Sequence, residues 1–591
     1  MKKCRRVVVL VGVFLFLHIF VTGAHCWTIE KDVKGRIETA FTLRDTDGFQ
    51  FGFMDEMRGW QWRNEVKFEL NVNMEYETTP LVRLDNVFLV YRGAYDGIFD
   101  VRDYWDNLRD YQVDEFEFGK QDIKYENDLR EAYADIVAET GKQTLQIRLG
   151  RQIIQWGEAD GFNCINITNP SNHTKSLAFR TPEDVAEPLW MMRVNYGISD
   201  VGIFDSLGFE GIAIPDIRPH LIAPVYYTGQ GPQTLNEFLI SAATDVQTAY
   251  VVPSPYIDPL SLEVASKFPN IERIYEVVPA RNADNMEFGV KLELVKGFFT
   301  GALHFFNGYQ DAEAPSGNEY FQHYAPSIAT AGLLSSGTIT MGDVVTLMGQ
   351  GFNFDPGSNF GATGLPSVGG PWVAYNHPRQ RTFGFSGSYY SELLNGVFRS
   401  EGSLTEDKTF IDLEGFYSGV ADAATIIATG LATGTDPDTA ATIAGLSWPT
   451  QATLTSTTEH DFWQFLIGFD KNVWIRPLNP IKMFSTSLQF YYTNIESWRF
   501  DPDYRPYNKK HHYRISGSLR TDYHHGRWNP SIFMMYDPQG SFMTSISFKY
   551  VYGNFYWKIS EMSFWGRTEQ PAAFSSLVDT SELSFVLGYN W

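Results

Sequence analysis

Two arginines and two carboxylates between residues 144 and 160 have side chains that could bind charged ligands. Arg148 and Arg151 lie on a predicted strand, and Glu158 and Asp160 follow the expected end of that strand. Guanidinium groups hold carboxylates and phosphates through paired hydrogen bonds, so the arginines are candidates for a ligand-selective site. The alternative is an internal ion-pair network that only holds the structure in shape. The two carboxylates could line a constriction or an outer loop.

The sequence favours binding over catalysis. No Gly-x-Ser-x-Gly nucleophile elbow occurs in the chain. His511 and His512 are adjacent, as are His524 and His525, and neighbouring residues of a strand point to opposite faces. Neither pair can therefore hold one metal ion from a regular strand. We predict no catalytic residue, no metal site and no cofactor.

Strict alternation of apolar and polar residues between positions 62 and 76 is the strongest pattern in the chain. Every second residue is apolar except Asn64, and all residues between them are polar, including Glu65, Lys67 and Glu69. This run is longer than the usual strand of about 5–6 residues and suits a tilted strand that crosses a bilayer. Glu65, Lys67 and Glu69 therefore join the candidate side chains of an inner wall.

The composition excludes several classes of protein. The 591 residues carry a formal net charge of −23, include 50 glycines and 15% aromatics, and have 3 cysteines. An acidic chain repels nucleic acid, the aromatic content argues against disorder, and so few cysteines cannot form a disulfide scaffold. A mean hydropathy of −0.23 with abundant aromatics is typical of outer-membrane β-barrels, because alternate residues face lipid and water.

Weaker alternation recurs along the chain and predicts further strands. Residues 286–306 read as two strands joined at Lys296-Gly297, and a hairpin is expected around Asn395-Gly396, a favoured two-residue turn. We predict an all-β fold: an antiparallel transmembrane β-barrel of roughly 14–18 strands, with long outer loops and short helical insertions.

Arg151 breaks the alternation of its own predicted strand. Leu145, Ile147 and Leu149 share its face, and an arginine that faces mid-bilayer lipid costs about 2–4 kcal/mol. Either Arg151 lies near an interface, or a bulge at Gly150 turns it inward. We favour the bulge. It would place both candidate arginines in the lumen, where we expect carboxylates such as those at positions 65 and 69 to oppose them.

The N-terminus predicts export. A basic segment at residues 2–6 precedes an apolar run at residues 7–21 and small residues at 22–24, which is the pattern of a secretory signal peptide. We therefore divide the chain into a signal peptide, residues 1–26, and a single barrel domain, residues 27–591. The predicted location is the bacterial outer membrane. Cys164 could be the only thiol of the mature chain.

The last residues also fit this location. Phe585, Leu587, Tyr589 and Trp591 share one face of an alternating terminal segment. Outer-membrane barrels end in such a strand with a terminal aromatic residue, which the barrel insertion machinery reads. We therefore expect this machinery, the outer-membrane lipid and lipopolysaccharide to be partners of the chain.

Four segments break the alternation, and we assign them as outer loops or lumen plugs: residues 104–135, 230–278, 310–375 and 418–450. The first is charged and looks helical, with Tyr125, Leu129, Ala132 and Tyr133 at helical spacing. The second and fourth contain apolar helical stretches. These two could fold inside or over the pore as a hydrophobic gate.

One motif resembles a known family. Residues 145–170 are similar to the Gly-Arg-Gln…Trp-Gly-Glu…Asn-Pro pattern of the bacterial family named domain of unknown function 1302. The matched positions are Arg148, Gly150, Arg151, Gln152, Trp156, Gly157, Glu158, Asn169 and Pro170. The resemblance implies an outer-membrane barrel that accompanies efflux or lipid-transport components, which would be further partners.

These observations lead to one main functional hypothesis and two alternatives. We expect a channel that passes small, hydrophobic or amphipathic molecules. The first alternative is a structural or interaction barrel with a plugged lumen that is the partner of an envelope efflux system. The second, a barrel enzyme acting on lipids, needs serine, histidine and carboxylate together at one rim.

Overall fold

A computed structural model describes most of the chain after residue 25. The described residues are 26–44, 58–76, 81–101, 111–113, 116–118, 124–157, 164–170, 172, 185–218, 273–277, 279–309, 314–316, 333, 338, 340–351, 371–411, 414–447, 457–496, 510–566 and 581–591. The predicted signal peptide lies outside these residues apart from Cys26, and it stays a prediction.

Eighteen strands form one antiparallel sheet. In chain order they are β1 (Cys26–Arg44), β2 (Arg58–Tyr76), β3 (Val82–Asp96), β6 (Tyr125–Thr140), β7 (Gln143–Gln152), β8 (Leu189–Val201), β9 (Phe204–Ile214), β11 (Glu287–Lys296), β12 (Phe299–Tyr309), β15 (Arg379–Ser391), β16 (Gly396–Ile411), β17 (Thr457–Val473), β18 (Phe484–Ile495), β19 (His511–Arg520), β20 (Trp528–Asp537), β21 (Ser541–Tyr552), β22 (Phe555–Trp565) and β23 (Glu582–Asn590). Each strand pairs with its predecessor and successor among them.

The sheet closes on itself, because the first strand pairs with the last. The register of β1 and β23 runs from Arg36 opposite Asn590 to Arg44 opposite Glu582. Beyond it, the Gly35 amide donates to the Trp591 carbonyl at 3.1 Å, and the Trp591 amide donates back at 3.0 Å. Closure satisfies the backbone amides of both edges. The predicted transmembrane barrel fold is confirmed, with a strand count at the top of the expected range.

The alternation in the sequence becomes the two faces of the wall. Along β2, Trp62 and Val66 are exposed on the outer face, whereas Arg63 and Glu65 are buried on the inner face. An outward band of large apolar side chains continues around the barrel, with Ile467 as one of its most exposed members at 63%. Such a band is stable only against an apolar solvent.

The connections divide the barrel into two ends. At the end that we call the short-turn end, β11 and β12 are joined by residues 297–298, and β15 and β16 by residues 392–395. Gly297 and Asn395 adopt positive φ values of 55° and 49° in these two turns, which lie where the alternation predicted them. The long insertions all leave the opposite, long-loop end.

Within their described residues, the insertions contribute a small second sheet and four helices. The sheet contains β4 (Tyr111–Val113), β5 (Phe116–Phe118), β10 (Arg273–Val277), β13 (Ala314–Ser316) and β14 (Pro371–Asn376). The helices are α1 (Ile98–Val101), α2 (Met341–Gly349), α3 (Glu414–Thr433) and α4 (Pro437–Ala444). In the part of the chain that the structure describes, no helix has both the length and the hydropathy needed to cross a bilayer.

The predicted helix within residues 104–135 is wrong. Residues from Tyr125 onwards form β6, and its register with β3 skips Arg130, which is the extra residue of a β-bulge. The bulge moves the outward-facing positions from odd to even numbers. Tyr125, Leu129 and Ala132 therefore share the outer face at a spacing that imitates a helix.

Candidate functional site: the barrel lumen

The segment that carries the family motif folds into the lumen. We call residues 153–188, which connect β7 to β8, the inner loop; residues 153–157, 164–170, 172 and 185–188 of it are described. Its apolar side chains pack with inward-facing residues from both sides of the barrel in one cluster, the apolar seal. The seal contains Ile154, Trp156, Cys164, Ile165, Leu189, Met191, Ile212, Ile214, Phe306, Phe462, Leu466, Tyr491, Ile495, Met535, Met543 and Phe564.

The seal lies in the long-loop half of the barrel. Its members Ile214, Phe306 and Ile495 are near the ends of strands that run into long insertions, and Met543 begins a strand that leaves that end. All are buried, with Ile165 only 1% exposed. Close packing of apolar side chains leaves no room for water between them, so the seal is a dry region of the lumen.

Two asparagine side chains hold the inner loop in shape by accepting hydrogen bonds from its backbone amides. The Asn166 Oδ1 atom accepts hydrogen bonds from the amides of Trp156 at 2.7 Å and Gly157 at 2.6 Å. The Asn169 Oδ1 atom accepts from the Ile154 amide at 2.8 Å. These bonds replace the strand pairing that the backbone loses when it turns inward.

Charged side chains of the barrel wall contact Trp156 and Gly157 of the motif. The Trp156 indole donates to Glu210 at 2.7 Å, and Arg193 pairs with the same carboxylate at 2.7 Å. A Cβ atom on Gly157 would lie 2.9 Å from both carboxylate oxygens of Glu401, which is 1% exposed. Trp156 and Gly157 therefore fit the inner loop to the wall.

Strands β1, β2, β3 and β6 carry a network of buried ion pairs that we call the charged wall. Glu65 accepts from Arg36 at 2.7 Å and pairs with Arg63 at 3.0 Å. Arg63 also bonds Glu126, which in turn accepts from Arg92 at 2.6 Å. Guanidinium and carboxylate groups alternate in this network, so most of its charge is neutralised internally.

The candidate arginines of β7 continue this network. Arg148 donates to both oxygens of Asp135, at 2.7 and 2.9 Å. Arg151 is buried and donates to Asp128 at 2.5 Å. Between them Gly150 has φ +140°, and a Cβ atom there would lie 2.1 Å from a backbone oxygen of β6.

The expectation that Glu65 and Glu69 oppose these arginines is wrong. The register places β6 between β7 and β2, so the arginines meet the carboxylates of β6 instead. Glu65 serves Arg36 and Arg63, and Glu69 is 3.8 Å from Lys34. Lys67 lies partly buried on the same inner face of β2. Glu158 and Asp160 lie outside the described residues.

One cavity of the lumen is lined by both polar and apolar side chains. Its volume is about 1000 Å³, and it lies beside strands β1, β2 and β17 to β23, from Arg520 near the short-turn end to Gln61 and Glu582 near the strand ends that lead into long insertions. Its lining includes a group of serines: Ser485, Ser531, Ser545, Ser547, Ser560 and Ser584. Met562 lines this cavity and also packs against the apolar seal, so the seal borders the cavity at this residue.

Helices α2 to α4 do not belong to the seal. Val344, Leu347, Ile426, Ile427 and Ala440 form a second apolar cluster that shares no residue with it. The predicted apolar helix of residues 418–450 falls within α3, and the described contacts place the apolar faces of α2 to α4 against each other. Residues 230–272, the other predicted gate segment, lie outside the described residues.

Cys164 and His304 are buried side chains of the lumen. Burial raises the pKa of the Cys164 thiol, which keeps it protonated. His304 Nε2 is 3.0 Å from Ser386 Oγ, but among the described residues no group bonds its Nδ1 atom. Within the described part of the chain, no three His, Cys, Asp or Glu side chains are grouped as metal ligands.

Sequence reasoning identified the motif, including Asn169, but missed Ile165 as a member of the seal and Asn166 as the acceptor of loop amides. The available signal was the recurrence of asparagine at every third position of residues 163–169, because asparagine side chains commonly bond nearby backbone amides in turns.

Comparisons with known proteins place the chain in a family. The model of the family described as "Protein of unknown function (DUF1302)" matches residues 49–591, which confirms the resemblance drawn from the motif. No curated protein matches the chain at a significant level. Among solved structures, Acinetobacter baumannii OccAB3 has a TM-score of 0.38 and 8% identity over 95% of this chain and 99% of that one. The Pseudomonas aeruginosa outer membrane protein opdK has a TM-score of 0.40 and 6% identity, over 95% and 98%.

Proposed function

Because the chain belongs to the DUF1302 family and folds as a closed barrel of 18 strands, we propose that it is an outer-membrane channel for small molecules. We also propose that the inner loop constricts this channel. The observation that carries the proposal is a large cavity inside a closed barrel, bordered by the apolar seal.

The outer surface supports a membrane location. Leu303 and Ile467 are 61% and 63% exposed on the outward face, and a soluble protein rarely leaves a continuous band of such side chains in water. Trp591 and Leu587 add exposed apolar groups near the closing seam. We propose that β23 presents these residues to the barrel insertion machinery, and that lipopolysaccharide and lipid contact the outward band.

The seal supports a preference for apolar or amphipathic solutes. A solute that passes Met535, Met543 and Phe564 must leave water, and apolar surface loses little free energy in doing so. A fully hydrated ion has no hydrogen-bonding partners among these three side chains. The proposed substrates are therefore small molecules with apolar surface.

The test is to loosen the inner loop and measure ion conductance. Asn166→Ala removes the acceptor of the Trp156 and Gly157 amides, so the loop should leave the lumen more often. We expect the single-channel conductance or open probability in planar bilayers to rise by about tenfold, since two lost hydrogen bonds are worth about 1–3 kcal/mol. Liposome-swelling rates should rise in parallel.

Asn282→Ala is the matched control. Asn282 also accepts bonds from two backbone amides, Asp284 at 3.1 Å and Asn285 at 2.9 Å, but in an exposed segment outside the lumen. The conductance of the Asn282→Ala variant should equal that of the unmodified chain. A barrel that stays impermeable to every solute after the inner loop is loosened contradicts a channel function.

The second candidate function is a plugged interaction barrel that is the partner of an envelope efflux or lipid-transport component. The observation in its favour is the tightness of the seal, where Met535 and Met543 are fully buried. Conductance near zero in the loosened variant, together with loss of a co-purifying envelope partner when the insertion containing α3 is deleted, supports this candidate over the channel.

A further inference from the structure

One side of the lumen changes polarity in regular steps along the pore axis. The registers of β20, β21 and β22 place inward-facing residues side by side in four rows. From the long-loop end, the rows are Met535, Met543 and Phe564; then Phe533, Ser545 and Met562; then Ser531, Ser547 and Ser560; then Asn529, Lys549 and Lys558. We call this surface the graded wall.

The rows have the dimensions of an elongated ligand. Successive rows are two residues apart along a strand, so the first and fourth rows are separated by about 20 Å. The cavity of about 1000 Å³ touches the second, third and fourth rows and ends under the first. A volume of this size is at the upper end of pockets for a single small molecule.

The fourth row places two ammonium groups side by side. Lys549 and Lys558 are direct cross-strand neighbours, and both line the cavity. Lys549 Nζ lies 4.2 Å above the Tyr556 ring. Tyr556 in turn donates to Glu38.

Further charged groups line the same cavity. Asp522 pairs with Lys482 at 2.9 Å, and Arg36 pairs with Glu65 outside the lining at 2.7 Å. The lining contains five basic side chains (Arg36, Lys482, Arg520, Lys549, Lys558) and four acidic ones (Glu38, Asp522, Glu561, Glu582). The two lysines stand together at the end of the graded wall that lies furthest from the seal.

We propose that the graded wall binds a single-chain amphipathic anion, with its anionic head at Lys549 and Lys558 and its alkyl tail toward Met562. The proposal rests on the channel function and names its substrate class. The serine row gives hydroxyl groups to the head or to its water shell, as Ser531 and Ser547, 2.8 Å apart, already exchange a hydrogen bond. A two-chain lipid needs more space than the cavity offers.

The first row links this site to the seal. Met535, Met543 and Phe564 belong to the same apolar cluster as Ile165 of the inner loop. A tail that extends past Met562 therefore competes with the inner loop for these side chains. Binding of a long tail and opening of the seal are coupled, because each uses the same apolar surface.

The experiment is a binding measurement on the full barrel in nanodiscs, corrected with empty nanodiscs. The probes are dodecanoate, dodecyltrimethylammonium, which has the same tail and the opposite charge, and acetate, which has no tail. We expect dodecanoate to bind at least tenfold more tightly than either of the others. The variant K549Q/K558Q should lose about tenfold or more of its dodecanoate affinity, which is the effect of removing a charge-assisted hydrogen bond.

Two further variants test whether the change in dodecanoate affinity is specific to the graded wall. Lys296→Gln makes the same change at an exposed turn on the opposite part of the barrel and should leave dodecanoate affinity unchanged. Met562→Ser should weaken dodecanoate without changing the weak binding of acetate. Equal binding of the anionic and cationic amphiphiles, or unchanged dodecanoate affinity in K549Q/K558Q, overturns the proposal.

Conductance measured on the same preparation separates this proposal from the proposed function. Conductance without dodecanoate binding overturns the amphiphile site and leaves the channel in place. Dodecanoate binding that depends on both lysines, in a barrel that never conducts, supports the site and contradicts the channel. An anionic phospholipid that binds as tightly as dodecanoate overturns the restriction to one chain.

Discussion

At the scale of single residues, the charged wall shows why burial changes the contribution of an ion pair to the free energy of unfolding. Arg63 and Glu126 are at most 9% exposed, and each has two oppositely charged neighbours in the network. Removal of one member leaves its buried partners with fewer counter-charges, which costs more than the intact pair contributes. An exposed pair such as Lys142 and Asp200 remains hydrated when either partner is lost.

The first stability prediction follows from this difference. Glu126→Gln keeps the size of the side chain but leaves Arg63 and Arg92 without their shared carboxylate, so we expect a loss of about 3 kcal/mol in the free energy of unfolding. Urea unfolding of the barrel, followed by tryptophan fluorescence, measures it. The control K142M should unfold at the same urea concentration as the unmodified chain. Equal midpoints for both variants contradict the role of the charged wall.

At the scale of elements, the chain passes from strand β7 of the barrel wall into the inner loop. The positive φ at Gly150 occurs one residue before Arg151, so the backbone turns where the strand meets the inner loop. Asn169 then holds the returning chain beside Ile154, and Leu189 starts the next strand of the wall. The motif is therefore a joint between two elements, and its residues contribute through backbone shape and hydrogen bonds.

The element-scale prediction concerns this joint. Gly150→Ala adds a Cβ atom 2.1 Å from the Ala132 carbonyl at a φ that alanine avoids, so it should destabilise the barrel by about 1–3 kcal/mol. The heat-dependent change in electrophoretic mobility reports the folded fraction. Gly197→Ala in β8 is the control, because nothing lies within 4 Å of its added Cβ atom and its φ is ordinary. A normal melting temperature for Gly150→Ala argues against strain at the joint.

At the scale of the whole molecule, the barrel depends on the seam between β1 and β23. Trp591 packs its ring over Gly35, and the two residues exchange both backbone hydrogen bonds. The lumen is also asymmetric: the charged wall lies on β1, β2, β3 and β6 and the graded wall on β20 to β22. Closure brings these two chemically different surfaces close together, because only β23 lies between β22 and β1 in the sheet.

The whole-molecule prediction tests the seam with a double-mutant cycle. A Cβ atom on Gly35 would lie 2.0 Å from the Trp591 ring, so Gly35→Val should lower the folded fraction strongly. Trp591→Ala removes packing and should also lower it. The double variant should be more stable than the sum of the two effects, because the clash is gone. Additive effects, measured by urea midpoints, would show that the ring does not pack against Gly35.

The fold class was readable from local pattern, because a strand that separates lipid from water must alternate at every second residue. Residues 62–76 and the turns at Gly297 and Asn395 were predictable for this reason. The bulge in β6 was not, since one inserted residue shifts the alternation and gives Tyr125 and Leu129 a helical spacing. The local pattern contains no information about the partner strand that accommodates such an insertion.

The sequence by itself determined that the chain alternates, that its terminal segment ends in an aromatic residue and that the motif around Trp156 is present. Only the tertiary structure decided which carboxylates meet Arg148 and Arg151, that the motif folds inward as a seal, and that Lys549 stands beside Lys558. The ion pairs and the lysine pair depend on strand register, and the seal brings together residues as distant in sequence as Ile165 and Phe564. Alternation alone does not set these contacts, because register also depends on turn geometry and on which face is buried.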